Sequence, residues 1–142
     1  MTTPSDSPLL EISNLEVSFQ TDEGLLRAVD GVSLGMKKGQ TVALVGESGC
    51  GKSVTALSIM RLIPSPPGII SGGEILWRSR NLLKMPLKEM VKIRGRQIAM
   101  IFQDPMTSLN PVFTVGKQLS EVTGIVLKEN STEGRKRIIE TM

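Results

Sequence analysis

GESGCGKS, at residues 46–53, is the stretch that decides the fold of this chain. It fits the pattern G-x-x-x-x-G-K-[ST] without a mismatch, and it lies between the apolar run Thr41–Val45 and the helix-compatible segment Lys52–Leu62. A chance match in a chain of this length is rare, on the order of one in a few hundred. The sequence therefore predicts an α/β domain in which a phosphate-binding loop joins a strand to a helix.

Each residue type in this stretch has a chemical reason. Glycines allow successive backbone N–H groups to turn inward around a phosphate, which a Cβ would obstruct. The helix that follows points its N-terminus, with free N–H groups and a positive dipole end, at the same anion. Lys52 supplies a full positive charge to the β- and γ-phosphates, and Ser53 offers a hydroxyl to Mg²⁺, which prefers oxygen ligands.

The rest of the chain reads as alternating strands, turns and helices. Residues 9–40 predict a small antiparallel sheet, with a turn at Thr21–Gly24. Two compact apolar runs, Thr41–Val45 and Gln97–Phe102, predict buried strands of a parallel sheet. The remaining predicted elements are the strands Leu9–Phe19, Leu25–Val29, Val32–Met36 and Gly73–Trp77, a loop at Ser65–Gly73, and helices at Leu87–Ile93, Val115–Lys128 and from Ser131, taken as the N-cap, onward.

A second constellation follows the run that ends at Phe102. Residues 102–111 read FQDPMTSLNP, so a glutamine, Gln103, leaves a core strand where its amide oxygen can reach Mg²⁺ or an attacking water. Together, GESGCGKS and FQDPMTSLNP resemble the Walker A motif and the Q-loop of ABC ATPases. The second phrase is similar to the subunits that power dipeptide, oligopeptide, nickel and glutathione importers. The alternative for Gln103 is a glutamine that caps a strand-to-helix turn.

The resemblance implies a P-loop NTPase fold of the ABC ATPase type. It runs from about Leu10 to the end of the chain and covers only the front of the family's domain. By this resemblance residues 9–40 form the antiparallel β part, 41–103 the P-loop core, and 104–142 the Q-loop and the start of the helical subdomain. Gln103 then links the Mg²⁺ site to a membrane subunit.

The resemblance also implies the ligands, partners and place of work. The ligands are ATP and Mg²⁺, with Lys52 and Gln103 in catalytic roles and Ser53 and Gln103 on the metal. The partners are transmembrane permease subunits and a second ATP-binding subunit, identical or different, at the cytoplasmic face of the membrane. The expected nucleotide contacts are Phe19, Gly46, Glu47, Ser48, Gly49, Cys50, Gly51, Lys52, Ser53 and Val54.

Phe19 ends the first predicted strand, where the family usually places an aromatic ring that stacks on adenine. A core phenylalanine at a strand end explains the same residue, and both interpretations stay open. Val29–Gly31, expected opposite in the sheet, would complete such a platform.

Several other features favour plainer explanations. Ser71-Gly72-Gly73 is similar to part of the ABC signature motif, but it precedes Gln103 and opens a strand rather than a helix, so we interpret it as a turn. A run of basic residues has a single aromatic neighbour, Trp77, which favours a solvated face over a nucleic-acid site. The run consists of Arg78, Arg80, Lys84, Lys88, Lys92, Arg94 and Arg96.

Composition sets further bounds. Hydrophobic residues make up 39% of the 142 residues and charged residues 22%, as in globular proteins generally, and the net charge of +3 suits a phosphate ligand without implying nucleic acid. One cysteine excludes an internal disulfide and favours a reducing compartment. We expect no secretory signal, and no apolar run reaches the ~18 residues that span a membrane.

Three elements of the family's motif set do not occur in these 142 residues: the signature motif, the Walker B strand with its carboxylates, and the switch histidine, since the chain has no histidine. We therefore expect a fragment of an ATPase that binds nucleotide without turning over alone. We also expect Val42–Val45, without its neighbouring strand, to expose apolar surface. Two alternatives remain. The first is another P-loop enzyme such as a kinase; a GTPase is excluded by the absence of the guanine-binding Asn-Lys-x-Asp. The second is a non-catalytic fragment that binds nucleotide or a membrane subunit.

Overall fold

The structure is a computed structural model, which describes residues 7–103, 109–127 and 130–142. The chain divides into two compact units, one ending at Met90 and the other comprising Val91–Met142. The first unit contains the sheet and the glycine-rich loop, and the second contains most of the helices.

A long β-hairpin begins the first unit. Strand β1 spans Leu10–Thr21 and pairs in antiparallel fashion with β2, which spans Gly24–Met36, across a two-residue turn. The antiparallel sheet expected for this region is confirmed. The expected break between Val29 and Val32 is wrong, because β2 continues through it, with Gly31 at a left-handed φ of 67°.

Two further strands complete a four-stranded sheet of order β2-β1-β3-β4. Strand β3 spans Gly68–Trp77 and pairs with β1, while the short β4, Arg80–Asn81, pairs with the end of β3. The loop expected at Ser65–Gly73 therefore ends earlier than the glycine content suggested. Ser71-Gly72-Gly73 is not a turn but part of β3, beside an irregularity in its pairing with β1.

That irregularity has a local cause. Asn14 in β1 adopts a left-handed φ of 48°, and Gly73 opposite it has a φ of 83°. A Cβ on Gly73 would lie 2.4 Å from the carbonyl oxygen of Asn14, so only glycine permits this approach. The SGG sequence is thus explained by backbone packing within the sheet.

One helix of the first unit follows the glycine-rich loop. Helix α1 spans Lys52–Ile59, ending three residues before the predicted Leu62. Arg61, just beyond its end, has a left-handed φ of 50°, and its Nη1 donates to the carbonyl oxygens of Leu82 and Met85, at 3.3 and 2.5 Å. These bonds tie the end of α1 to the segment that follows β4. The buried apolar core of this unit consists of Leu10, Ile12, Leu15, Val17, Val29, Met60, Ile75, Trp77, Leu82, Met85 and Met90.

The two runs predicted as buried parallel strands form no strand here. Within the described residues, Thr41–Val45 has no ladder partner, and Gln97–Phe102 contributes only one isolated bridge, from Ile98 to Arg94. Burial is wrong as well, since Val45 is 91% and Ile101 96% exposed. A parallel strand needs a neighbour to satisfy its backbone and cover its side chains, and the described part of the chain supplies none. The exposure expected for an unpartnered Val42–Val45 is therefore confirmed.

Helices make up most of the second unit. Helix α2, Leu87–Ile93, crosses the boundary between the units and matches its prediction. Helix α3, Val115–Glu121, continues as a π-helical turn over Val122–Val126, and α4 spans Ser131–Thr141. The N-cap of α4 is Asn130 rather than Ser131, because the Asn130 side chain accepts hydrogen bonds from the N–H groups of Thr132 and Glu133.

Candidate functional site

The glycine-rich loop connects the exposed run Thr41–Val45 to α1. Gly49 and Gly51 have φ values of 84° and 88°, in the left-handed region that favours glycine. The backbone thus adopts the left-handed conformation at two of the three residues that precede the start of α1 at Lys52. This is the conformation by which successive N–H groups can converge on one anion.

Gly51 fixes the end of the loop on the sheet. It is buried, and a Cβ at this position would lie 2.3 Å from the carbonyl oxygen of Ala28 and 3.3 Å from Cγ2 of Val29, both in β2. Only a residue without a side chain lets the loop lie this close to the strand. The start of α1 is therefore held by backbone packing against β2.

The N-terminus of α1 is open toward the loop. Its N-cap is Gly51, which has no side chain to accept a hydrogen bond from the first turn. The first N–H groups of a helix have no partner within the helix and are available to an anion. Eight residues of aligned peptide dipoles add positive potential at this end.

Lys52 closes the loop on itself. Its Nζ donates to the carbonyl oxygens of Gly46, at 2.8 Å, and Glu47, at 2.5 Å, and lies 3.4 Å from Sγ of Cys50. The ammonium group therefore sits across the mouth of the loop with its donors on backbone carbonyls. A phosphate in the loop would offer this group a charged acceptor in their place.

Cys50 is exposed and turned back over the start of the loop. A Cβ on Gly46 would lie only 2.6 Å from its Sγ, so the glycine makes room for the sulfur. Glu47, Ser48 and Ser53 are exposed as well, and Val54 is half-buried. The predicted loop residues from Gly46 to Cys50 are thus all exposed, Gly51 is buried against β2, and Ser53 is exposed on the first turn of α1.

Gln103 lies in the second unit, at the end of the extended segment that follows Ile98, and it is exposed. The residues directly after it, 104–108, lie outside the described part of the chain. The glycine-rich loop belongs to the first unit. The joint Mg²⁺ site predicted for Ser53 and Gln103 therefore remains a prediction.

Phe19 lies near the end of β1 and is half-buried. Its cross-strand neighbour in β2 is Leu26, and Val29 pairs instead with Val17. The expectation that Val29–Gly31 lies opposite Phe19 is therefore wrong. The two-residue turn at 22–23 would have given the correct pairing, because Gln20 then meets Leu25 and Phe19 meets Leu26.

Comparison with known families gives one match over most of the chain. The profile of the family described as ABC transporter matches residues 29–142. In the described residues, no helix combines the length and apolar character needed to cross a bilayer.

Curated relatives are similar over nearly all of the sequence. The oligopeptide transport ATP-binding protein OppD of Bacillus subtilis is 49% identical over 134 residues, which cover 94% of this chain and 37% of the relative. The dipeptide transport ATP-binding protein DppD of the same organism is 48% identical, with 94% and 40% covered. A probable peptide ABC transporter ATP-binding protein of Sinorhizobium fredii, y4tR, is 45% identical, with 98% and 42% covered. The chain thus spans about two-fifths of the length of these relatives.

Solved structures show the same fold. MJ0796, described as a dimeric bacterial ABC transporter cassette, superposes with a TM-score of 0.78 at 25% identity, covering 92% of this chain and 54% of that one. A post-hydrolysis state of the same cassette, bound to ADP and Pi, gives a TM-score of 0.74 at 23% identity. The expected fold class, the front part of an ABC ATPase fold, is confirmed.

Proposed function

Because the chain belongs to the ABC transporter family, we propose that it is the ATP-binding, energy-coupling part of a peptide importer, whose ATP hydrolysis drives solute uptake. The observation that carries the proposal is the complete glycine-rich loop, closed by Lys52 and seated on β2 through Gly51. The importer class is supported by relatives named for oligopeptide and dipeptide transport, at 49% and 48% identity.

The loop fits the polyphosphate of ATP. Left-handed glycines, the open N-terminus of α1 and the Lys52 ammonium converge on one small volume, and all three favour an anion. On binding, Lys52 exchanges the neutral carbonyl oxygens of Gly46 and Glu47 for negatively charged phosphate oxygens, which form stronger hydrogen bonds with an ammonium group. The backbone amides around Gly49 orient the β-phosphate.

Mg²⁺ fits the oxygen ligands that the family resemblance assigns to it. The Ser53 hydroxyl is exposed on the first turn of α1, and the Gln103 amide oxygen is the second protein ligand in this proposal. When bound, the ion neutralises charge that develops on the phosphates during transfer. Ser53 would hold the ion at the loop, and the role of Gln103 as a second ligand rests on the family resemblance.

The proposed partners are permease subunits, contacted at the cytoplasmic face of the membrane, and a second ATP-binding subunit, identical or different. The dimeric form of the MJ0796 cassette supports the second partner. We also propose the division into an antiparallel β part at 9–40, a P-loop core at 41–103, and a Q-loop with the start of a helical subdomain at 104–142.

Residues 1–142 on their own are proposed to bind ATP without appreciable turnover. The Walker B carboxylates and the switch histidine that the resemblance calls for do not occur in this sequence. Positioning and charge stabilisation by such groups account for most of phosphoryl-transfer catalysis.

Calorimetric titration with Mg-ATP tests the proposal. Lys52→Ala is expected to weaken binding roughly 10- to 100-fold, the effect of losing one charge-assisted contact to phosphate. Lys38→Ala is the matched control, because Lys38 is an exposed lysine in the turn before Thr41–Val45 and its removal changes the net charge equally. Circular dichroism checks that both variants are folded. Equal affinities of the two variants would contradict the role of Lys52, and no binding by the unmodified chain would contradict the function.

A further inference from the structure

Positive charge is concentrated in one stretch of the sequence. Residues 78–96 contain seven of the 17 basic residues and only one of the 14 acidic residues, Glu89, which leaves ten basic and 13 acidic residues for the rest of the chain. The carboxylate of Glu89 forms an ion pair with Arg80, within the same stretch. The net charge of +3 therefore comes entirely from residues 78–96, and the remainder of the chain is slightly acidic.

Helix α2 lies in the middle of this basic stretch, and one side of it is packed. It spans Leu87–Ile93, and its residues Met90 and Ile93 are 0% and 3% exposed. These two side chains lie three residues apart, on neighbouring turns of the same side. The helix is therefore held by its buried side, and its opposite side is available for a contact of another kind.

The exposed side of α2 combines apolar and basic side chains. Leu87 and Val91 are 60% and 58% exposed, and their spacing of four residues puts them one above the other. Lys88 and Lys92 have the same spacing and are exposed as well. At about 100° per residue, the four side chains occupy a continuous arc of roughly 140°. We call this arc the α2 face; it consists of an apolar pair beside a pair of lysines.

An anionic bilayer surface matches the α2 face in both charge and polarity. Lysine ammonium groups are attracted to the phosphates of anionic lipids, and apolar side chains beside them enter the boundary between headgroups and acyl chains. A lysine suits this boundary because its stem is apolar and its charge is at the tip. A nucleic acid matches less well, because Trp77, the aromatic residue next to the basic stretch, is only 7% exposed and cannot stack on bases.

We propose that the α2 face binds directly to anionic phospholipid headgroups. The choice of a bilayer as the partner rests on the proposed function, because the ATP-binding part of an importer works beside a membrane. The contact is made by this chain itself and is additional to any contact with permease subunits. With seven residues, α2 is far shorter than the ~20 residues that span a bilayer, so it lies along the surface.

Sedimentation with lipid vesicles tests this contact. The chain is mixed with vesicles of phosphatidylglycerol and phosphatidylcholine in equal parts, or of phosphatidylcholine alone, with Mg-ATP present so that the glycine-rich loop is occupied. We expect binding to the anionic vesicles to be at least about tenfold stronger than to the neutral ones, and to weaken as the salt concentration rises. Equal binding to both kinds of vesicle would overturn the inference.

The lysines are tested by a pair of double variants with the same net charge. Lys88→Gln with Lys92→Gln is expected to weaken binding to anionic vesicles about 20-fold, from about fivefold for each lysine. Lys37→Gln with Lys38→Gln removes the same charge from an exposed turn and should leave binding within about twofold of the unmodified chain. Equal losses in the two double variants would overturn the inference, because the overall charge of the chain would then explain the binding.

The apolar pair is tested by a matched leucine. Leu87→Ala is expected to weaken binding to anionic vesicles about three- to tenfold, because the leucine side chain leaves water when the helix lies on the surface. Leu25→Ala removes the same atoms from β2, at a position that is 62% exposed, and should bind as the unmodified chain does. Circular dichroism checks that all variants are folded. Equal binding by Leu87→Ala and Leu25→Ala would overturn the assignment of the α2 face.

Failure of the proposed function is distinguishable from failure of this inference. A chain that binds Mg-ATP in calorimetry but binds no vesicles retains the proposed function and refutes the lipid contact; an acidic protein surface is then the partner of matching charge. A chain that binds anionic vesicles through Lys88 and Lys92 but does not bind Mg-ATP retains the lipid contact and refutes the proposed function.

Discussion

Gly51→Ala is expected to lower the free energy of unfolding by more than the cost of placing a Cβ at the left-handed φ of residue 51. A residue with a Cβ at a left-handed φ costs about 1–2 kcal/mol, and the φ here is 88°. In addition, the new Cβ would lie 2.3 Å from the carbonyl oxygen of Ala28. This is 0.7 Å shorter than 3.0 Å, the distance below which Cβ atoms are essentially never found from such neighbours. A backbone carbonyl held in a sheet cannot swing aside as a side chain can, so β2 or the loop must shift, at about 1–3 kcal/mol.

Gly39→Ala separates these two contributions. Gly39 has a similar φ of 77°, but no atom lies within 4 Å of where its Cβ would stand. Both substitutions remove the same flexibility from the unfolded chain, which favours folding by about 0.4–1 kcal/mol and cancels in the comparison. The difference between the variants therefore measures the contact of Gly51 with β2.

Urea unfolding followed by circular dichroism gives that difference. We expect Gly51→Ala to be less stable than Gly39→Ala by about 1–3 kcal/mol, with Mg-ATP binding lost because the loop no longer lies on the strand. Two variants of equal stability would refute the conclusion that the loop is anchored on Ala28 through a position only glycine can fill.

Three further outcomes follow from described contacts. Mg-ATP should slow maleimide labelling of Cys50, because the Sγ of Cys50 lies 3.4 Å from Nζ of Lys52 in the phosphate-binding loop. A Cys50→Ser variant should still bind Mg-ATP. A labelling rate that saturating nucleotide leaves unchanged would contradict this arrangement. Asn130→Ala should destabilise α4 by about 1 kcal/mol and Asn130→Asp much less, measured by amide exchange, whereas equal exchange in both would show that the cap is not used. The side-chain amide of Gln118 accepts a hydrogen bond from the N–H of Asn110 through Oε1 and donates one to the carbonyl oxygen of Asn110 through Nε2, so Gln118→Ala should speed amide exchange in 109–114; unchanged exchange would refute the role of Gln118 in holding this segment.

Local sequence patterns predicted the elements whose partners are close in the chain. The hairpin of β1 and β2 follows from alternation around a two-residue turn, and the glycine-rich loop follows from a spacing that backbone geometry demands. Helix α2 was placed correctly for the same reason, since its whole pattern lies within seven residues.

Features that depend on a distant neighbour were harder to predict. Thr41–Val45 has the composition of a buried strand, but composition cannot supply the partner that would pair with it, and the segment is exposed. Gly73 suggested a turn, and only its approach to Asn14 explains it as part of β3. Residue type does not distinguish Asn130 from Ser131 as the cap of α4, because both are good caps, and the choice depends on which backbone N–H groups come within reach.

The central claim is that the backbone of residues 46–53 holds the phosphates of ATP. Amide chemical shifts and exchange rates of ¹⁵N-labelled protein, recorded during titration with Mg-ATP, test it directly. We predict that the amides from Gly49 to Ser53 shift and exchange more slowly in proportion to bound ligand, because the N–H groups of the loop and of the first turn of α1 become donors to phosphate, including that of Cys50, which donates to the Glu47 carbonyl oxygen at 3.4 Å in this structure. Saturable binding that leaves these amides unchanged and perturbs others instead would contradict the account.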